Sequence, residues 1–322
     1  GRPMTEQNAP GRKLISIICC VYNEEKCLPL FYPEIQRALA PLNDRYDLEF
    51  LFVNNRSTDR TLEILRGFHE KDPRVKVLTM SRNFGYQSSV QAGFTHATGE
   101  ASIVIDADLE DPPEMILQFV AKWEEGYDVI YGARENRAGN RIAKTFRNLY
   151  YHLLQATADT DIVLYMAEFA LVSKTVRHAI LNNQNTFPFL RTEIGYVGFS
   201  RYGINYTRHP RAAGRSNYNF FTMITFGAAG LLTSSTFLLR LATYLFPVLA
   251  VYNALMLWLA VTTGRAGYFQ GLVAADLLYI TFLLTVLGVY IARIYKNGIG
   301  RPLFVLDPRH TYPSKLAASR QT

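Results

Sequence analysis

Between Leu14 and Glu110 the chain alternates near-continuous apolar runs with stretches in which apolar residues recur at helical spacing. LISIICCVY (14–22), LEFLFVNN (48–55), VKVLTMS (75–81) and ASIVIDADLE (101–110) read as strands, and residues 61–69 as a helix after the polar Ser57-Thr58-Asp59. Strands that are apolar on both faces and separated by helices predict an α/β fold with an open, mainly parallel sheet covered on both sides. Ligands of such sheets sit at the carboxyl ends of the strands. Tyr22, Asn23, Glu24, Asn54, Asn55, Arg82, Asn83, Asp106 and Asp108 stand at those ends.

Further along, the pattern changes. From Leu241 to Gly264 there is no charged residue, and a second apolar run from Gly267 to Ala292 is broken only by Asp276. Each is long enough for a bilayer-spanning helix, which needs about 20 apolar residues. Arg265 is the one charge between them. Arg293, Lys296, Arg301, Arg309, Lys315 and Arg320 follow, against a single acid, Asp307. The positive-inside rule places the C-terminus in the cytosol and the Arg265 turn outside. Two spans return the chain to its starting side, so the N-terminal part is expected in the cytosol too. The competing reading is a helical hairpin buried in a soluble core.

Composition sharpens this picture only where charge is placed. Lys+Arg 34 against Asp+Glu 27 gives a net charge of +7, compatible with nucleic acid, an anionic membrane or a phosphorylated substrate. Residues 201–240 contain Arg201, Arg208, Arg211, Arg215 and Arg240 and no acid. Within them the uncharged NYNFFTMITFGAAGLL (217–232) reads as an interfacial segment, with the arginines that flank it facing lipid headgroups or a lipid-borne phosphate. With the basic residues beside the membrane and no nucleic-acid-binding motif, nucleic acid is excluded as partner. Cys19, Cys20 and Cys27 have neither CxxC spacing nor a histidine at ligand spacing. They read as buried, reduced thiols, with Cys19 and Cys20 on opposite faces of a strand. Gly1 to Gly11 are polar, so no cleavable signal peptide is expected.

The candidate chemistry centres on Asp106-Ala107-Asp108-Leu109-Glu110-Asp111-Pro112-Pro113-Glu114. Two carboxylates two residues apart at a strand end converge on one hard cation. Mg²⁺ or Mn²⁺ accepts one or two protein carboxylates and leaves its other positions to water and substrate phosphates. Asp111, followed by prolines and Glu114, reads instead as the N-cap of the next helix.

The succession VYNEE (21–25), VNNRSTDRT (53–61), SRNFGYQSSVQAGFTHATGE (81–100) and DADLEDPPE (106–114) resembles the family 2 glycosyltransferases. The motif made by Tyr206, Arg208, Arg211, Gly214, Ser216 and Tyr218, the two spans and the ending IARIYKNGIGRPLFV (291–305) resemble that family's polyprenyl-phosphate branch. The resemblance implies a GT-A fold and inverting, metal-dependent transfer of one sugar from a nucleotide diphosphate sugar, UDP favoured, to polyprenyl (undecaprenyl) phosphate. It implies a bacterial inner-membrane protein with both termini and the catalytic domain cytosolic, and a homo-oligomer, a tetramer in relatives. The expected organisation is a flexible 1–12, a catalytic domain over 13–215, interfacial helices over 216–238, two spans over 239–294 and a cytosolic tail over 295–322.

Carried over by resemblance, Tyr22, Glu24, Asn55, Arg82, Asn83 and Asp106 would hold the nucleotide. Asp106, Asp108 and Glu110 would hold Mg²⁺ or Mn²⁺ on the diphosphate, and Arg134 would reach the phosphates. Arg191, Arg208, Arg211 and Ser216 would hold the acceptor phosphate, and Glu168 would act as base or orient a sugar hydroxyl. Four departures from the family pattern stand out: Asn54-Asn55 in place of an acid pair, Glu110 in place of Gln, Ala167-Glu168-Phe169-Ala170-Leu171 in place of GDFRL, and Arg215 and Asn217 where Glu and Lys are common. Other readings are transfer to a lipid hydroxyl, which requires a base, and a silent membrane scaffold. A processive polysaccharide synthase is disfavoured, because neither Trp123 nor Trp258 lies in a QxxRW motif.

Overall fold

The computed structural model describes residues 11–134, 166–183, 189–212 and 235–318. The strands are β1 (Lys13–Val21), β2 (Tyr46–Asn54), β3 (Val75–Thr79), β4 (Ala101–Val104), β5 (Val129–Arg134), β6 (Met166–Ser173) and β7 (Arg201–Tyr206), in one sheet of order β3-β2-β1-β4-β6-β5-β7. All four strands read from the apolar pattern are present, and the α/β class with a mainly parallel sheet is as expected. The fourth strand is shorter than its apolar run: it ends at Val104, and Asp106 to Glu110 form a loop.

The helices are α1 (Leu28–Leu39), α2 (Thr61–Lys71), α3 (Tyr86–His96), α4 (Met115–Glu124), α5 (Lys174–Leu181), α6 (Leu190–Val197), α7 (Phe237–Thr263), α8 (Ala266–Gly298) and a short α9 (Lys315–Ala318). Most of those around the sheet bury one stripe, whereas α3 is buried on nearly all sides. In α1 the buried Leu28, Phe31, Tyr32, Ile35, Ala38 and Leu39 follow the period that puts one face on a core. Two apolar layers result. Cys19 lies in the layer with Phe31 and Phe52, whereas Cys20 packs on the other with Ile18 and Phe94, so the neighbouring thiols point to opposite faces. Burial raises the pKa of both well above the ordinary thiol value, Cys20 adding to the shift of Cys19 and Asp106 to that of Cys20. Helix α3 lies close on β1: a Cβ on Gly93 would collide with Ile18 Cγ2.

The sheet order decides where the chemistry sits. From β1 the chain winds outward through β2 to β3, while β4 pairs with the other side of β1, so the topological switch point lies between β1 and β4. Strand β6 runs antiparallel to β4, with Val104 opposite Ala170. Its starting end, which carries Glu168, therefore lies at the carboxyl edge, where β4 gives way to the Asp106 loop. Strands β5 and β7 run parallel to each other, and Arg134 pairs with Tyr206 where both end on that same edge.

Helices α7 and α8 form an antiparallel hairpin, with Tyr279 Oη donating to Ala242 O at 3.0 Å and Tyr290 Oη to Ser235 O at 2.8 Å. Both are long and apolar enough to cross a membrane. Ala242 and Val286 are the residues they bury, while Val248, Val251, Leu257, Trp258, Leu278 and Leu284 are exposed. A helical hairpin in a soluble core would bury these side chains. An apolar surface of this extent calls for lipid or another apolar cover. The helices overrun the expected 239–294 at both ends. Beyond them the chain is more than a tail: Leu306 and Tyr312 form antiparallel bridges to Met80 and Val77 along β3.

Candidate active site

Several chain segments meet outside the β1–β4 switch point. The loop after β1 carries Tyr22, Asn23 and Glu24, and the loop after β2 carries Asn54 to Asp59. They are laced together: Asn23 N donates to Ser57 Oγ at 3.0 Å, Thr58 N to Asn23 Oδ1 at 2.8 Å and Glu24 N to Thr61 Oγ1 at 2.8 Å. Asn23 and Arg56 here, and Leu109 after β4, are non-glycine residues with left-handed φ of 57°, 62° and 59°. Such strain clusters where a binding site over-determines the backbone.

The Asn54-Asn55 pair has a local explanation. Asn54 Oδ1 accepts from Ser57 N at 3.0 Å, which closes the turn. Asn55 is buried; its Oδ1 accepts from Phe84 N at 2.9 Å and its Nδ2 donates to Asn83 Oδ1 at 3.0 Å. The Asn55 amide therefore braces the 83–85 loop. Arg82 is exposed, its guanidinium 3.8 Å from the centre of the Phe84 ring and donating to Asn83 O at 3.0 Å.

Beyond β4 lies a crowd of carboxylates. Tyr86 Oη donates to Asp106 Oδ1 at 2.9 Å, and Asp108 Oδ1 accepts from Glu110 N at 3.1 Å. Burial, and then the Asp108 and Asp111 charges, push the Asp106 carboxyl up to about 7. Burial and Asp108 raise Glu110 as well.

Three arginines answer this negative charge. Arg211 Nη2 holds both Glu24 oxygens, at 2.5 and 2.7 Å, and its Nη1 lies 3.5 Å from Asp108 Oδ2. Arg208 Nη1 meets Glu110 Oε2 at 2.5 Å, and its Nε is 3.4 Å from Asp111 Oδ1. Arg134 Nε donates to Tyr206 Oη at 3.2 Å, and its Nη2 is 3.7 Å from Asp111 Oδ2. Backbone bonds clamp the arginine segment onto the acidic loop, from His209 N to Glu110 O at 2.9 Å and from Ala212 N to Asp108 O at 3.1 Å.

Asp111 differs from expectation. Helix α4 begins at Met115 with Glu114 as its N-cap and no side-chain capping bond. Asp111 is buried, accepts from Tyr206 Oη and faces Arg134 and Arg208. Two prolines displace the helix start, and the carboxylate goes to the charges instead. Sequence reasoning missed this role, for which the basic motif starting at Tyr206 is the only signal.

Glu168 lies at the start of β6, with Oε1 3.6 Å from Arg191 Nε. Burial raises its carboxyl, while Arg191 and a hydrogen bond from Gln87 oppose the shift. Its Oε2 and the Nε of Arg208 are buried and lack a hydrogen-bond partner among the described residues. Unsatisfied polar atoms at a cleft are what a polar ligand completes. Ser216 lies outside the described residues, as do Gly214, Arg215 and Tyr218.

Among the described residues no group of three or more His, Cys, Asp or Glu side chains is arranged to hold a metal ion. Glu110, expected as a third ligand, is engaged by Arg208. The pair Asp106 and Asp108 nevertheless fits a hard divalent cation: both are oxygen donors, and the crowding that raises Asp106 is what a cation relieves.

The family model for glycosyl transferase family 2 matches residues 16–181. The chain is 35% identical over 309 residues to the uncharacterized glycosyltransferase YkcC of Bacillus subtilis, covering 93% of this chain and 95% of that one. It is 32% identical over 306 residues to the prophage bactoprenol glucosyl transferase homolog of Escherichia coli, covering 91% and 98%. Among solved structures, the mannosyltransferase PcManGT from Pyrobaculum calidifontis, in complex with GDP-Man and Mn²⁺, is a distant likeness: TM-score 0.46 and 19% identity over 89% of this chain and 88% of that one. On its sequence, and with a site assembled at the carboxyl edge of a seven-stranded sheet, the chain belongs to glycosyl transferase family 2 and is a glycosyltransferase of the GT-A fold.

Proposed function

We propose that the protein transfers a single sugar, with inversion, from a nucleotide diphosphate sugar to a polyprenyl phosphate at the cytosolic face of a bacterial membrane. One observation carries the reading. Arg208 and Arg211 approach the Asp108 carboxylate to 4.0 and 3.5 Å, from a segment that precedes the apolar hairpin in the chain. A clamp for one phosphate and the anchoring groups for another thus meet at one carboxylate. Relatives named bactoprenol glucosyl transferases, 32% identical over 92% of this chain in the Shigella phage SfX case, support a polyprenyl acceptor. They also support a glucosyl donor, for which UDP is the carrier favoured here.

Asp106 and Asp108 would hold Mg²⁺ or Mn²⁺, which when bound supplies Lewis-acid stabilisation to the leaving diphosphate. Tyr22 and Glu24, with the loop braced by Asn55, Asn83 and Arg82, would frame the nucleoside. Arg134, poised beside Asp111, would meet developing negative charge on the leaving group. Arg208 and Arg211 would exchange their carboxylates for the acceptor phosphate and aim its oxygen at the anomeric carbon, with Ser216 and Arg191 adding to the clamp. In one displacement the phosphate oxygen bonds to the anomeric carbon as the bond to the diphosphate oxygen breaks, and the nucleoside diphosphate departs with that electron pair. A phosphate monoester has a second pKa near 6. Its dianion needs no proton removed, so Glu168 serves best by holding a sugar hydroxyl.

The test is to incubate the purified full chain with Mn²⁺, a panel of UDP- and GDP-sugars and a short polyprenyl phosphate. The expected product carries one sugar per lipid phosphate in the inverted configuration, with a nucleoside diphosphate released. Transfer to a lipid hydroxyl but not to the phosphate would defeat the reading and make Glu168 the required base.

A further inference from the structure

The segment beyond the hairpin is built into the nucleoside side of the site. Ser81 N donates to Val305 O at 2.8 Å, Asp307 N donates to Thr79 O at 2.7 Å, and Val77 and Tyr312 exchange both backbone bonds at 2.7 Å. The same end of β3 is tied on its other side to the loop after β2, through Met80 N to Asn54 O at 2.9 Å.

A side chain makes the connection direct. Asp307 is buried, its side chain only 6% exposed, and Arg56 Nη1 donates to its Oδ2 at 3.1 Å across 251 residues of sequence. The carboxylate also accepts from Arg309 N and Nε, each at 3.1 Å, and from Arg309 Nη2 at 3.2 Å, and it lies 3.0 Å from His310 Nδ1. Arg56 has the left-handed φ of 62°. An L-residue seldom adopts that conformation unaided, so something outside the loop must keep it there. Arg56 also stands between Asn55, which braces the 83–85 loop, and Ser57, which closes the turn onto Asn23 and Asn54.

We propose that Asp307 is a positioning residue for the donor. By anchoring Arg56 it fixes the 54–59 loop, so that the chain returning from the membrane hairpin completes the pocket for the nucleoside half of the nucleotide sugar. The inference rests on the nucleotide-sugar reading and adds to it a residue that touches no substrate. The competing role for Asp307 is local: capping its own turn at Pro308–His310 through Arg309 and His310.

Four variants of the full chain, in detergent with Mn²⁺ and no lipid acceptor, separate the two roles by calorimetric titration with UDP and with GDP. Asp307→Asn and Arg56→Met each weaken binding of whichever nucleotide the wild type takes, by about tenfold. The double variant loses no more than the worse single one, because both remove the same contact. Arg309→Met, which removes only the tail's internal bonds, leaves affinity within about twofold. The Arg56 side chain is 45% exposed, so Arg56→Met remains informative even where Asp307→Asn loosens the tail. In turnover, the loss falls on the KM for the nucleotide sugar and leaves the KM for the lipid phosphate unchanged. Wild-type binding with unimpaired Arg56→Met and Asp307→Asn, additive losses in the double variant, or an equal loss in Arg309→Met overturns the positioning role alone. A wild type that binds neither nucleotide overturns the nucleotide-sugar reading and this inference with it.

Discussion

A single guanidinium nitrogen of Arg211 holds both carboxylate oxygens of Glu24, at 2.5 and 2.7 Å, across 187 residues of sequence. The loop after the first strand and the segment leading to the apolar hairpin are thereby one site. The pair is largely withdrawn from water, with 19% and 15% of the side chains exposed, which strengthens its charge-assisted bonds.

Arg211→Ala should therefore act chiefly on the acceptor. The KM for polyprenyl phosphate is expected to rise roughly 10- to 100-fold, the range for a lost hydrogen bond to a charged group. Steady-state kinetics with each substrate varied in turn provide the check. An equal rise in both KM values would make Arg211 a structural strut.

Asp108 lies between two arginines and accepts a backbone bond from Glu110. Asp108→Ala is expected to cut kcat by at least about a thousandfold, the scale for losing preorganised stabilisation of a leaving group. Circular dichroism should show an intact fold. Normal turnover of folded, metal-replete Asp108→Ala would remove this residue from the chemistry.

The Asp106 carboxyl, pushed up to about 7 by burial and by its acidic neighbours, should make cation binding depend on pH. Below that value a proton occupies the carboxylate and must be displaced, whereas above it the anion is free. Mn²⁺ affinity, read from the electron paramagnetic resonance of free Mn²⁺, is expected to rise about tenfold between pH 6 and 8 and then level off. In Asp106→Asn that rise should vanish. A flat wild-type curve would sink the assignment.

Glu168 stands at the carboxyl edge of the sheet with one oxygen unsatisfied, which suits a sugar hydroxyl. Glu168→Gln is expected to lower kcat/KM about 10- to 100-fold for the native sugar and less for an epimer that misplaces the hydroxyl. Its pH–rate profile should keep an acidic limb near pH 6, because that limb belongs to the acceptor phosphate. Disappearance of the limb would identify Glu168 as a general base.

Much of this architecture is legible along the chain. The strands follow from apolar runs such as LISIICCV, buried on both faces, and the hairpin from two charge-poor stretches of membrane length. Asp106 and Asp108 are legible because they end such a run. Less visible were the bonds that cross the fold. That Asn55 braces a loop while its neighbour Asn54 closes a turn depends on which amides face them, and no local pattern encodes this.

The sequence by itself determined the elements, the family and the residue types that anions and cations require, because period, charge and motif are local properties. Only the tertiary structure decided which charges meet. The reversed direction of β6 carries Glu168 to the carboxyl edge, the prolines after Asp111 turn that carboxylate toward Arg134 and Arg208, and the chain beyond the hairpin comes back to place Asp307 on Arg56. Each pairing spans residues far apart in the chain, and coulombic and hydrogen-bond partners are chosen by distance in space, which the order of residues does not specify.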